Sequence, residues 1–454
     1  MSHRPRRCAE ANTVYLLGGT GQRGCRDGKA SSATFNAPTS LVALNNGTLA
    51  ITDSQNNTMR FITLDGASDA SVVSLRNSPF LAPRGLDVVN NTLYVCDTGH
   101  HTIKYGLAPE NFVEDMDFGV LAGTGKRGLS DGPAVESSFH NPSGICVKDN
   151  ELFVADTGNH CIRRIYQQLG AWHVNTVAGG STVQRTTPTG RRSASKPNTP
   201  QAGCVNGIGR QAMFRAPSGI TLGPLGELFV ADTFNHTIRV VYWAENEKAW
   251  LVETIAGNTR SGHIDGAARH ALFNQPVGVC IAADRTLLVS DKGNNCIRQL
   301  GGGNQNGSYT HFSWVRTITI DQLAKNWHFS KGIEPPFLLP KGLCMLRNSH
   351  QWHHNRNQSD CLFVGVCDTG NHLIRILSLE STEVPQDDED NQHQEAESNV
   401  SNQEKLQLEQ IQQLTEENQK LKQENAKYQQ LLQMAIARVC VYITVNFKSE
   451  CIDE

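Results

Sequence analysis

The chain has 454 residues, 38% of them hydrophobic, with 40 glycines and a formal net charge of −3, a composition that supplies a large core and many turns. It excludes a wholly disordered chain and argues against a dedicated nucleic-acid-binding domain. No apolar run reaches the length of a membrane span, and the basic start Met-Ser-His-Arg-Pro-Arg-Arg lacks the apolar stretch of a secretory signal, so a soluble, cytoplasmic protein with no membrane contact is expected.

Residues 1–12 read as a disordered N-terminus. A strand follows at Val14-Tyr15-Leu16-Leu17-Gly18-Gly19. From there one octapeptide returns six times, as DSQNNTMR, DTGHHTIK, DTGNHCIR, DTFNHTIR, DKGNNCIR and DTGNHLIR. It runs from Asp53 to Arg60, Asp97 to Lys104, Asp156 to Arg163, Asp232 to Arg239, Asp291 to Arg298 and Asp368 to Arg375, the aspartates standing about 44 to 77 residues apart. Each copy is preceded by an apolar run such as Leu152-Phe153-Val154-Ala155 and followed by an alternating one such as Cys161-Ile162-Arg163-Arg164-Ile165, which makes a β-hairpin. Upstream stands Phe-x-x-Pro-x-Gly with a further strand, at Phe139, Phe214 and Phe273 and in looser form at Phe80 and Phe337. Downstream is a fourth strand ending in Ala-Gly, as in Val177-Ala178-Gly179 and Ile255-Ala256-Gly257. Four antiparallel strands per repeat describe a propeller blade.

These octapeptides resemble NHL repeats, whose Asn-His-Leu stands intact at Asn371-His372-Leu373. The resemblance covers about residues 14 to 379 and implies a six-bladed β-propeller, with the Pro-x-Gly strand innermost and the Ala-Gly strand outermost in each blade. The first, second and fifth copies depart from the pattern at Gln55-Asn56-Asn57, His100 and Asn295. The sixth repeat ends at its third strand, Leu373 to Leu379, while the chain opens on a fourth strand with no blade in front of it. The opening strand is therefore predicted to complete the last blade and remove an exposed edge.

The fold class is thus all-β: a six-bladed propeller over 13–379 closed by the N-terminal strand, then a disordered acidic linker and a short coiled-coil helix. Within the propeller, 181–206 is rich in Ser, Thr, Pro and Arg and reads as a disordered insertion, with Ser193 and Ser195 beside Arg192 open to phosphorylation. One or two helical turns are expected within Ile320 to Phe329. From Glu380 onward 6 Lys and Arg stand against 16 Asp and Glu, leaving 35 against 28 before it, so the propeller carries about +7 and the tail about −10. Residues 380–403 read as the acidic linker. Residues 404–437 read as a coiled coil of about four heptads, with Ile411, Asn418, Asn425 and Leu432 at a and Leu414, Leu421, Tyr428 and Ala435 at d, a seam that favours a homodimer. The last segment, 438–454, has no assigned role. The thirteen cysteines are expected as reduced thiols, Cys161 and Cys296, and Cys96 and Cys367, occupying matching blade positions.

Asp, Asn, His and Arg in one octapeptide resemble a catalytic set, but their return in nearly every blade makes them architecture: Asp closes the turn, Asn takes the left-handed conformation, Arg spans to a neighbouring strand. The cations that break the sixfold pattern lie in the loops after fourth strands. Arg23, Arg26, Lys126, Arg127, Arg191 and Arg192, with Arg210, Arg215 and Arg260, are expected to form a basic rim on the face of the Asp turns. Such a rim suits an acidic peptide of a protein partner, a phosphate-bearing partner or single-stranded RNA, and some NHL propellers resemble this in binding RNA, although aromatic residues that stack single-stranded RNA are scarce in these loops. The favoured function is a non-enzymatic interaction scaffold, with RNA binding as the alternative. Propellers similar to this one include lactonases and lyases that hold a metal in the channel, but first strands such as Gly144-Ile145-Cys146-Val147 are apolar and offer no ligands. The His350, His353 and His354 cluster lacks zinc-type cysteine spacing, so no metal and no cofactor are expected. Tripartite-motif proteins share the propeller, but no RING or B-box spacing occurs here.

Overall fold

The computed structural model describes residues 13–64, 70–108, 116–182, 200–302, 312–318, 322–323, 337–346 and 361–380. They form six sheets, one per octapeptide, each built on four antiparallel strands. Blade three shows the plan: Pro142–Lys148, Glu151–Asp156, Cys161–Gln168 and Ala171–Gly179 pair in that order. The first strand of each blade packs against the first strand of the next, and that of blade six against that of blade one, so the ring closes around a central channel.

Apolar side chains alternate along the strands and lock the blades together. Six buried clusters each straddle one blade-to-blade boundary, as where Phe61 of blade one meets Val95 of blade two, or Leu288 of blade five meets Val366 of blade six. Thr13–Gly18 pairs antiparallel with Leu373–Glu380, with Thr13 opposite Ser378 and Gly18 opposite Ile374, so the opening strand is the fourth strand of blade six. Val14 and Leu17 are buried, one against blade five and the other against blade one.

Several expectations need correcting. The Ala-Gly strand is not outermost: two-residue strands at Gly28–Lys29, Gly132–Pro133, Gly207–Ile208 and Gly266–Ala267 lie outside it in blades one, three, four and five. Blade one has its own Phe-x-x-Pro segment, Phe35 to Ser40, concealed by a serine in the glycine position. Part of the 181–206 insertion belongs to the blade, since the Gly203 N–H bonds to the Phe214 carbonyl and Val205 bridges Met213; residues 183–199 lie outside the described residues. Where helical turns were expected, Gln322–Leu323 is a short strand parallel to Thr13 and Val14. The first strands are not uniformly free of ionisable groups, because Asp87 sits on Leu86–Val89 and accepts the Val147 N–H of blade three.

Residues 1–12, the histidines 350, 353 and 354, the linker and the whole coiled-coil seam lie outside the described residues. Among the described residues, nine cysteines are free thiols; Cys96, Cys161 and Cys367 are buried and Cys296 is half-buried.

Candidate binding face and central channel

In blade three Pro142 pairs with Asp156 and Cys161 with Gly179, which brings the start of the first strand, the Asp turn and the end of the fourth strand to one edge of the sheet. The loops after fourth strands therefore share a ring face with the Asp turns, as expected from the sequence.

Each turn is a one-turn 3-10 helix after the aspartate, Thr-Gly-Asn in blade three. The aspartate does not cap its own turn. One carboxylate oxygen accepts a backbone N–H from the Phe-x-x-Pro segment of its blade, from Asn36, Leu81, His140, Arg215, Asn274 or Leu338, at 2.7 or 2.8 Å. The other accepts from the fourth-position side chain, Asn56, His100, Asn159, Asn235, Asn294 or Asn371. It also accepts from the cation at the eighth position: Arg60, Arg163, Arg239, Arg298 and Arg375 are fully buried, with Lys104 in blade two. Burial is the largest influence on the Asp156 and Asp232 carboxyls and raises both to about 6, against the lowering pull of their arginine, their asparagine and the backbone N–H.

The arginine stacks on the phenylalanine of Phe-x-x-Pro, 4.8 Å from the ring centre at Phe35 and Phe139. Its far nitrogen reaches a residue unremarked in the sequence: Asp27, Asp131, Asn206 or Asp265, each just before the glycine that starts an outer strand. Burial raises the Asp131 carboxyl, but Arg163, the Thr176 N–H and hydroxyl, and Arg210 outweigh it and hold the group below its usual range. The recurring Asp/Asn-Gly pair eight residues before Phe35, Phe139, Phe214 and Phe273 was the available signal. Blade two carries a lysine, which lacks the second fork of donors, and no such outer strand occurs there among the described residues.

The left-handed conformation falls one residue later than the sequence suggested, on Asn57, His101, His160, His236, Asn295 and His372, with φ between 55° and 57°. The reason is a joint between blades. Each of these side chains accepts the backbone N–H of the residue before the proline in the next blade: Ala82, Asn141, Ala216, Gln275, Leu339 and Ala37 in turn. Those six residues are left-handed too. Since the ring nitrogen Nδ1 must accept, the histidine stays neutral; burial first, then His140 and Arg215 at His160, Arg215 at His236 and Arg23 at His372, lowers the pKa of these three. Arg23 Nε lies 3.1 Å from His372 Nε2, and because a neutral imidazole has one acceptor nitrogen, this is a cation close to a ring N–H rather than a second hydrogen bond.

Of the cations expected on this face, Arg23, Arg26, Lys126, Arg127, Arg215 and Arg260 are exposed, and none has a carboxylate partner among the described residues. Arg210 departs from the expectation, since it pairs with Asp131 at 2.6 Å at the outer edge of blade three. Arg191 and Arg192 lie outside the described residues. The acids of this edge, Asp27, Asp131 and Asp265, are held by the internal arginines. On the opposite face the turns carry Asp149, Glu245, Glu247 and Asp284.

Fold and turn architecture together define a six-bladed propeller with a basic loop face. The chain carries NHL repeats: the NHL repeat model matches residues 139–165, 214–241 and 273–300, in blades three to five. NHL repeat-containing protein 2 of Bos taurus is 28% identical over 382 residues, covering 68% of this chain and 48% of that protein. Protein SUPPRESSOR OF QUENCHING 1, chloroplastic, of Arabidopsis thaliana is 26% identical over 355 residues, 74% of this chain and 30% of that one. The chain thus spans half or less of the length of these relatives. Among solved structures, an auxiliary nutrient binding protein of Bacteroides ovatus matches with a TM-score of 0.53 at 11% identity, covering 82% of this chain and 78% of that one, which shows the shared fold. No described helix is long and apolar enough to cross a membrane.

Proposed function

We propose that the propeller is a non-enzymatic interaction module whose Asp-turn face binds an acidic segment of a protein partner. The observation that carries this reading is the split in how charges are used: the acids of that face are consumed by buried arginines, while Arg23, Lys126, Arg127, Arg215 and Arg260 are left facing water. Recurrence of the octapeptide residues in every blade, and their engagement with one another, supports a structural rather than a catalytic use of them. In this reading the coiled coil of the tail pairs two copies, so that two weak contacts add.

Fluorescence anisotropy of the full chain with a labelled poly-glutamate peptide, a neutral peptide and a single-stranded RNA oligomer tests it. Selective binding of the acidic peptide, steeply weakened by salt and abolished in an R23E/K126E/R127E/R260E variant, is the expected result. Tighter binding of RNA than of the peptide supports the nucleic-acid alternative. Equal affinity of wild type and variant for all three removes the basic face from the account. Sedimentation of the full chain against a variant with lysine at Leu414 and Leu421 tests the pairing.

A further inference from the structure

At the channel mouth the sixfold pattern is broken three times by cations. The residue after the proline at the start of the first strand is Thr39, Ser143, Ser218 or Val277 in four blades, but Arg84 in blade two and Lys341 in blade six. The residue after the turn aspartate is a hydroxyl in five blades. There it donates to the proline carbonyl of the next blade, as Thr157 does to Pro217 and Thr233 to Pro276. In blade five it is Lys292, which forgoes that bond and places Nζ 3.4 Å from Gln275 Oε1.

All three start at the Asp-turn end of the central channel. The backbone of Lys341 is pinned to blade five, its carbonyl accepting from Ser290 Oγ at 2.7 Å, and the Arg84 carbonyl accepts from Thr52 Oγ1 at 2.6 Å. Both side chains therefore start on the innermost ring, at the face that carries the loop cations. Blades two and five stand opposite each other across the ring, yet Arg84 and Lys292 feel each other's charge, and both act on Lys341. Burial first, then the other two cations, lowers the Lys341 ammonium to about 8. Arg84 is exposed to water, yet the protein packed around it still lowers its pKa by desolvation. No carboxylate pairs with any of the three among the described residues, and the first-strand acid Asp87 is committed to the Val147 N–H.

We propose that Arg84, Lys292 and Lys341 form an anion site at the channel mouth that takes a phosphate group. Three unpaired cations brought in from three blades suit a tetrahedral dianion, which offers oxygens in three directions, better than one planar carboxylate. The phosphate belongs either to a free phosphorylated small molecule or to a phosphorylated side chain. This site goes beyond the acidic-partner reading and does not depend on the loop cations.

Titration calorimetry of the full chain with inorganic phosphate, with phosphoserine and with a phosphoserine peptide tests it. The variants are Arg84→Ser, Lys341→Ser and Lys292→Thr, each installing a residue of the kind that other blades carry at that position, so folding is preserved. The expected result is one phosphate per chain, at least tenfold weaker binding in each variant, and undiminished binding in the R23E/K126E/R127E/R260E protein. Binding of the peptide tighter than phosphoserine and free phosphate assigns the group to a protein side chain; equal affinities assign it to a small molecule. No heat and no rise in melting temperature at millimolar phosphate, or wild-type affinity in all three variants, overturns the proposal.

Discussion

His372 Nδ1 accepts the backbone N–H of Ala37 at 2.9 Å, joining residues 335 positions apart and closing blade six onto blade one. The same joint is made at the other five boundaries, by histidine at three and asparagine at two. Replacing His372 by alanine removes an acceptor from a half-buried N–H and should lower stability by about 1 to 2 kcal/mol in urea unfolding. His372→Asn should recover most of that loss, because Asn57 and Asn295 already serve this role. Equal destabilisation by the two substitutions would show that the ring relies on something else.

The joint histidines also set a pH dependence. The pKa values of His160, His236 and His372 are lowered in the folded ring, so between about 6.5 and that lower value the unfolded chain binds more protons, and stability falls as pH falls through this window. The carboxyls of Asp156 and Asp232, raised to about 6, act in the opposite sense, gaining stability as pH drops from there toward their unfolded value. A triple variant with asparagine at His160, His236 and His372 keeps the aspartates and loses only the histidine contribution. Its melting temperature should therefore fall less than wild type between pH 7 and 5; parallel curves would contradict the neutral-acceptor assignment.

Buried and exposed ion pairs should differ sharply. Arg239→Ala leaves Asp232 buried without its charge partner and should cost about 3 to 5 kcal/mol. Arg210→Ala removes a half-exposed partner of Asp131, which keeps Arg163, and should cost about 0 to 1 kcal/mol. Chemical unfolding of the two variants side by side checks the ratio.

Packing of the first strands predicts a steric contrast. A Cβ on Gly219 would overlap the Val277 carbonyl of the next blade, so Gly219→Ala should destabilise by at least about 1 to 3 kcal/mol. Blade one already carries Ser40 at the matching position, so Ser40→Gly should shift stability by less than about 1 kcal/mol. Similar losses in both would mean that this approach of strands is not tight.

What the sequence revealed and what it hid follow from the reach of each interaction. Strands, turns and the closing role of Val14 to Leu17 were legible because alternation and a repeated octapeptide are local patterns. The Phe35 segment was missed because Ser40 replaced the glycine used to find it. Asp27, Asp131, Asn206 and Asp265 were missed because they contact the octapeptide arginine across some 32 or 33 positions, and nothing within the octapeptide announces them. The left-handed residue was misassigned by one because Asn and His both tolerate that conformation, and only the neighbouring blade decides which of them takes it. Arg84, Lys292 and Lys341 lie far apart in the chain, and only the closed ring brings them to one end of the channel.

Hydrogen exchange on the full chain tests the closed ring most directly. The amides of Val14 to Leu17 should be protected as strongly as those of Leu373 to Leu379, with which they pair. Exchange of 14–17 at the rate of a free peptide, with 373–379 still protected, would mean that the opening strand does not complete blade six and that the ring is closed in some other way.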